Sequence, residues 1–108
     1  MDTKTEEALN KDIKKWKGIA YHHESDYGRL NCNLCHEFHD LRCGGCPVMK
    51  RTGQMTCKGS PYVEWLKVAK RDSFGGNTVV SEKAKAAAIA QWIFLKSLLP
   101  EKLGRNNG

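Results

Sequence analysis

Five cysteines lie close together in the sequence, and their spacing suits a metal site. They form two Cys-x-x-Cys pairs followed by one more cysteine: Cys32, Cys35, Cys43, Cys46 and Cys57. The Cys-x-x-Cys spacing lets one tight turn aim two thiolates and its own N–H groups at a single ion. Two such turns supply the tetrahedral set that zinc takes in structural sites. The sequence therefore predicts a structural zinc site in a loop between residues 32 and 57.

Five cysteines exceed the four ligands of a structural zinc site, so one of them is spare. The favoured set is Cys32, Cys35 and Cys46, completed by either Cys43 or Cys57. Replacement of one cysteine by His36 or His39 stays open. The sequence does not decide between these sets.

Two other uses of the cysteines compete with zinc. An iron–sulfur cluster also takes Cys thiolates, and Cys46-Pro47 matches the Cys-Pro of bacterial ferredoxins, although the compact ferredoxin run is absent. Cys43 and Cys46 also have the spacing of a thiol redox pair, but no βαβ pattern surrounds them. Iron–sulfur or thiol redox chemistry is therefore the alternative to zinc.

Catalytic motifs are not visible in the sequence. His36-Glu37-Phe38-His39 is one residue shorter than the His-Glu-x-x-His motif of zinc proteases, which places two imidazoles one helical turn apart. No nucleophile constellation or general acid–base pair stands out. We therefore expect a binding module rather than an enzyme, with redox activity through the cysteines as the runner-up.

A first helix is predicted over about residues 3–17. Thr3 and Glu6 fit a capping box. An apolar face at helical spacing includes Leu9 and Trp16, so Trp16 is expected to be a core residue. Gly18 is the predicted stop.

Two further helices are predicted after the cysteines, over about residues 61–71 and 81–99. Ser60 and Pro61 suit the start of the first of these, and Ser81 suits the start of the second. Two apolar stripes follow at helical spacing: Tyr62, Trp65, Leu66 and Ala69 in the first, and Ala84, Ala88, Trp92, Leu95 and Leu99 in the second. Pro100 is the predicted end of the last helix.

Residues 18–60 show no sustained periodicity and are predicted to form an irregular Cys-rich loop. Such a long loop needs a source of order other than regular hydrogen bonding, and a bound metal supplies it. The predicted fold is mainly α: one domain over residues 1–103, with about three helices and the metal-binding loop between helices 1 and 2. Residues 104–108 are predicted to be a disordered tail.

The net charge of +6 favours anionic partners, and its excess lies in the C-terminal part. Residues 61–108 carry eight Lys or Arg and four Asp or Glu. Nucleic acid is one candidate partner, and the candidate phosphate contacts are Lys50, Arg51, Lys58, Lys67, Lys70, Arg71, Lys83 and Lys85. A host protein, bound through the metal loop and the apolar residues Phe38, Leu41 and Phe74, is the other.

The location is predicted to be cytoplasmic. The first 18 residues are charged throughout and lack the apolar region of a signal peptide. No run approaches the ~18 apolar residues of a membrane span. In the cytosol thiols stay reduced, and clustered cysteines there more often bind metals or do redox chemistry than form disulfides.

The order of these motifs resembles a loose group of small phage-encoded proteins of undefined function. Eight residues, within a stretch of about a third of the chain, carry the resemblance: Cys32, Cys35, Cys43, Cys46, Pro47, Cys57, Tyr62 and Trp65. Trp16 precedes them in the same order. The resemblance implies a phage or mobile-element origin and action on host machinery, and it transfers no catalytic residue.

Overall fold

The computed structural model describes residues 3–22, 24–27, 31–38, 46–54, 59–71, 76–79 and 81–100, with backbone only at residues 70 and 71. These residues form five helices and a short hairpin: α1 Thr3–His22, α2 Asn33–Phe38, α3 Pro47–Thr52, α4 Tyr62–Val68, β1 Lys70–Arg71, β2 Asn77–Thr78 and α5 Glu82–Lys96. The protein is thus mainly helical, as the sequence predicts. The radius of gyration of 13.9 Å is close to the ~13 Å of a single folded domain of about this length.

The first helix continues past its predicted end at residue 17, to His22. Gly18 lies inside it and is buried. Ile19 and Ala20 are also buried, at 0% and 5% exposure. Their burial stabilises the last turn by more than the ~1 kcal/mol that an interior glycine costs.

The helix predicted over residues 61–71 is shorter in the structure and is followed by a hairpin. Ser60 Oγ accepts a hydrogen bond from the backbone N of Tyr62 at 3.3 Å, close to the predicted start. The helix ends at Val68 because Ala69 turns to an extended conformation with ψ of 153°. The backbone of residues 70–71 then pairs antiparallel with residues 77–78.

The last helix begins as predicted. Ser81 Oγ accepts a hydrogen bond from the backbone N of Ala84 at 3.1 Å. The regular helix ends at Lys96, and residues 97–99 continue as a tighter turn in which Leu98 N donates to Leu95 O at 3.0 Å. Helix ends commonly finish in such 3₁₀-type turns.

The core lies where α1 and α4 pack against α5, and aromatic side chains lie close to its centre. Trp16 is 3% exposed, which confirms the expected core position, and Trp65 is fully buried. Their rings meet edge to face, with centroids 5.3 Å apart. Leu66, predicted to share this apolar stripe, is instead 54% exposed, because the face of α4 on which it lies is turned away from the core.

A buried carboxylate connects three elements beside these aromatic rings. Asp26 is 0% exposed. Its Oδ2 accepts hydrogen bonds from the Tyr62 hydroxyl at 2.9 Å and the Trp65 Nε1–H at 3.0 Å. Its Oδ1 lies 3.0 Å from Lys15 Nζ on α1. The backbone groups of Asp26 and Asn77 exchange two hydrogen bonds of 2.8 Å, so the same residue also fixes the hairpin.

The segment predicted to be an irregular loop, residues 18–60, contains the end of α1 and the short helices α2 and α3. Leu34 of α2 and Val48 of α3 are each 2% exposed and belong to the core. These apolar anchors attach both helices to the rest of the protein. The predicted tail, residues 104–108, lies outside the described residues.

Candidate metal centre

The first Cys-x-x-Cys pair forms a tight turn at the start of α2. The backbone N–H of Cys35 donates to Cys32 Sγ, with N···S of 3.2 Å. The backbone N of His36 donates to the carbonyl of Cys32 at 3.1 Å and starts the helix. The turn thus brings both cysteines of the pair and a backbone N–H donor close together.

Asp12 of α1 holds this turn in place. Its Oδ1 accepts hydrogen bonds from the backbone N of Asn33 at 2.7 Å and from Asn33 Nδ2 at 2.9 Å. Its Oδ2 accepts from the backbone N of Leu34 at 2.9 Å and lies 3.7 Å from Cys32 Sγ. A side-chain oxygen that accepts from the first N–H groups of a helix is an N-cap, supplied here by a different helix.

Asp12 is not among the site residues predicted from the sequence, although the sequence contains a signal for it. Asp12 lies three residues after Leu9 and four before Trp16, so it shares their apolar face. It is 2% exposed in the structure. A carboxylate on the buried face of a helix needs hydrogen-bond donors, and it finds them on α2.

The close approach of these groups changes the acidity of the Cys32 thiol. The side-chain hydrogen bond with Cys35, burial and the nearby Asp12 carboxylate all raise the pKa of Cys32 well above its ordinary value. A bound divalent cation has the opposite effect, because a metal ion deprotonates the thiols that coordinate it. Without a bound cation, Cys32 is therefore held as a neutral thiol, which disfavours a free nucleophilic thiolate at this position.

Cys46 lies immediately before α3, at its N-cap position. Its backbone is extended, with φ of −62° and ψ of 132°, and its carbonyl accepts a hydrogen bond from Lys50 N at 2.9 Å. The residue is 7% exposed, and Pro47 follows as the first helical residue. The cysteine is thus fixed at the boundary between the core and the Cys-rich segment.

The complete ligand set stays a prediction. Cys43, Cys57 and His39 lie outside the described residues. Among the residues that are described, no three His, Cys, Asp or Glu side chains form a group able to hold a metal ion. His36, the other histidine considered as a ligand, is exposed on α2.

The predicted phosphate contacts are spread over several elements. Lys50 on α3, Lys67 on α4 and Lys83 on α5 are exposed. Arg51 on α3 donates to the hydroxyl and the carbonyl of Ser97 at 3.4 and 3.3 Å, so it also satisfies the end of α5. Lys85 lies over the ring of Tyr21.

For three of these eight residues, the structure does not describe the side chain. Lys58 lies outside the described residues, and Lys70 and Arg71 are placed in β1 by their backbone. Of the predicted protein-contact residues, Phe38 is partly buried against the core, whereas Leu41 and Phe74 lie outside the described part.

Comparison with known proteins adds no relative. No family model, curated protein or solved structure matches this chain. Within the described ranges, no helix combines the length and the apolar character that crossing a bilayer requires.

Proposed function

We propose that this protein is a zinc-stabilised binding module without catalytic activity. The observation that carries the proposal is the Cys32–Cys35 turn, with its 3.2 Å N–H···S hydrogen bond and its attachment to Asp12. Such a turn delivers two thiolates to one ion, and Cys46 with either Cys43 or Cys57 would complete a tetrahedral site. In this role the zinc supplies folding energy and orders the Cys-rich segment.

Elemental analysis tests the metal directly. Protein purified without an affinity tag and without oxygen should contain about one zinc per chain and show no visible absorption. Iron with acid-labile sulfide would replace this proposal with the iron–sulfur alternative. Absence of both metals would leave a thiol redox pair as the remaining explanation.

Single Cys→Ser variants test which residues bind the ion. Cys32→Ser, Cys35→Ser and Cys46→Ser should each lose zinc and melt at a lower temperature, because metal binding and folding are coupled. Of Cys43→Ser and Cys57→Ser, only one should lose zinc, and the other identifies the spare cysteine. His22→Ala, at an exposed position on α1, serves as the matched control and should keep its zinc.

Nucleic acid is the partner that we propose for the module. Supporting observations are the net charge of +6 and the exposed lysines on three helices, among them Lys50, Lys67 and Lys83. Binding through lysine–phosphate contacts should weaken steeply as salt rises. A gel-shift titration that shows no complex even at low salt would refute this part of the proposal without affecting the zinc site.

A host protein is the second candidate partner, and one observation favours it. Val63 and Leu66, three residues apart on α4, are 39% and 54% exposed, which leaves an apolar surface on that helix. A contact through this surface should survive moderate salt. A protein retained from host lysate by the wild type but not by Leu66→Glu would support this candidate, whereas equal retention would refute it.

A cytoplasmic location and a phage or mobile-element origin belong to the same proposal. Both follow from sequence features, namely the cysteine usage and the resemblance carried by the order of the motifs. The resemblance implies action on host machinery, so identification of a host partner would support this origin.

A further inference from the structure

A group of lysines and aromatic rings covers one face of the α1–α5 pair. This Lys–aromatic face consists of Lys17, Tyr21, Lys85, Trp92 and Lys96. The rings of Tyr21 and Trp92 meet edge to face, with centroids 5.9 Å apart. Tyr21 is 45% exposed, whereas Trp92 packs partly buried against the core and keeps part of its surface accessible to solvent.

Three ammonium groups lie against these two rings. Lys96 Nζ and Lys17 Nζ lie 4.5 and 6.0 Å from the centroid of a Trp92 ring, and Lys85 Nζ lies 5.3 Å from that of Tyr21. Energetically significant cation–π contacts occur roughly once per 70–80 residues in proteins. Three contacts on two adjacent rings therefore mark a concentration of positive charge at an aromatic surface.

In the described part of the chain, none of the three lysines of this face forms an ion pair with a carboxylate. The ion pairs recorded in the described part of the chain are Lys4–Glu37 and Lys15–Asp26, and neither involves the face. Lysine carries its charge on a flexible four-carbon stem, so each ammonium can move from a ring to an anion bound beside it. The face thus presents mobile cations next to accessible rings.

We propose that the Lys–aromatic face binds single-stranded nucleic acid. Aromatic side chains beside positive charges are the features with which proteins bind single strands, because unpaired bases stack on the rings while lysines contact the phosphates. In a duplex the base faces are already stacked on each other and do not reach a protein surface. The charge and the exposed rings together therefore favour a single strand over a duplex.

This inference deepens the proposed function by assigning the nucleic-acid contact to a particular surface and strand type. It moves the contact away from most of the lysines selected from the sequence, since Lys85 is the member that the two sets share. It does not require the metal to touch the ligand, because the face is built from α1 and α5.

Anisotropy titration of a labelled single-stranded oligothymidylate measures the interaction. A length of about 15 nucleotides is near the upper end of a compact single-strand site. The Lys17→Gln/Lys96→Gln double variant should bind more weakly. Its slope of log K against log salt should be smaller by about 1.4, because each phosphate contact on a single strand contributes about 0.7. Lys4→Gln/Lys11→Gln removes the same charge from two exposed positions in the first half of α1 and is the matched control, with wild-type affinity and slope.

The tryptophans supply an independent readout of stacking. Trp16 and Trp65 are buried, at 3% and 0% exposure, so quenching on addition of the oligonucleotide should come from Trp92. Trp92→Phe should abolish the quenching. Tyr21→Ala, at an exposed position, should weaken binding of the single strand. A duplex of the same length should bind more weakly than the single strand.

Several outcomes would overturn the inference. Weaker binding by Lys50→Gln/Lys67→Gln, with no effect of Lys17→Gln/Lys96→Gln, would place the contact on lysines selected from the sequence and leave nucleic-acid binding intact. Equal affinity for the duplex without quenching of Trp92 would exclude stacking. Binding of the face to vesicles of anionic lipid, with no binding of any oligonucleotide, would identify a membrane surface as its partner and would also refute the nucleic-acid part of the proposed function.

Discussion

Replacement of Asp12 by Asn tests whether the Cys32–Cys35 turn depends on α1. The carboxylate accepts hydrogen bonds from two backbone N–H groups and from the Asn33 side chain, with both oxygens in use. Asparagine has the same shape as aspartate, but an NH₂ group replaces one of the two carboxylate oxygens. That group would face the N–H of Leu34 or of Asn33 and could not accept from it.

The magnitude follows from these contacts. At least one hydrogen bond to a charged acceptor is lost, which is worth about 1.5–3 kcal/mol. Because Asp12 is 2% exposed, water cannot readily take over the unsatisfied donor. We expect the free energy of unfolding to fall by about 2–3 kcal/mol. With an m-value of about 1.5 kcal/mol per molar urea, the unfolding midpoint falls by about 1.3–2 M.

The metal site should respond as well. A residue that orients metal ligands without touching the ion typically changes metal affinity about 10–100-fold when mutated. Cobalt substitution provides the assay, because thiolate coordination to Co²⁺ gives visible absorption that zinc then displaces. Glu7→Gln alters an exposed carboxylate on the same helix and should change neither the urea midpoint nor the affinity.

Two outcomes for Asp12→Asn would contradict these expectations. If Asp12→Asn unfolds at the same urea concentration as the wild type, the hydrogen bonds to α2 do not hold the turn. If it is less stable but binds zinc unchanged, the turn is a structural element only, and the proposed contribution of Asp12 to the metal site is wrong.

Three further predictions concern the core. Asp26→Ala should destabilise the protein by about 3–5 kcal/mol in thermal or urea unfolding, because it leaves the Lys15 ammonium, 11% exposed, without its buried partner; a loss below about 1 kcal/mol would show that the pair is not important. Gln91→Met should leave the free energy of unfolding unchanged or raise it by about 1 kcal/mol, since Gln91 Oε1 is buried and, among the described residues, lacks a hydrogen-bond partner. Clear destabilisation would indicate a water bound to Gln91 Oε1. Gly76→Ala should lower the free energy of unfolding by about 1–3 kcal/mol in the same assay, because a Cβ would lie 2.9 Å from the Cβ of Ser25. A neutral effect would mean that the backbone bridge between Asp26 and Asn77 shifts easily.

The helices were predictable where their signals are local. Ser81 caps the last helix through a residue three positions later, and Trp16 is buried on a face that its near neighbours define. Such patterns depend on the 3.6-residue period and on side chains within one turn. The mainly helical character of the protein followed from the same short-range information.

The features that the sequence did not reveal depend on residues far apart in the chain. The end of α1 at His22 is set by the burial of Ile19 and Ala20, which outweighs the glycine before them. Asp26 gave no signal at all, because its partners lie far from it in the chain, 11 positions earlier at Lys15 and 36 to 51 positions later. The exposure of Leu66 depends likewise on how α4 is oriented in the packed protein.

In the candidate metal centre too, the local feature was predictable from the sequence and the long-range contact was not. Spacing alone suggests a turn at Cys32–Cys35, since the two residues are three apart. The attachment of that turn to Asp12 is a contact across 21 residues, which no period in the sequence encodes. A carboxylate on an otherwise apolar helix face is the type of signal that sequence reasoning could use in other small proteins.

The position of Asp26 in the structure also sets an order in which the protein can form during synthesis. Asp12 finds its partners 21 and 22 residues later, so the turn at Cys32–Cys35 can be held soon after it emerges from the ribosome. Asp26 must wait for Tyr62, Trp65 and finally Asn77. A nascent or truncated chain that ends before residue 77 therefore has its Cys32–Cys35 turn in place while its aromatic core is unfinished. We expect such a chain to be retained by chaperones or removed by proteases.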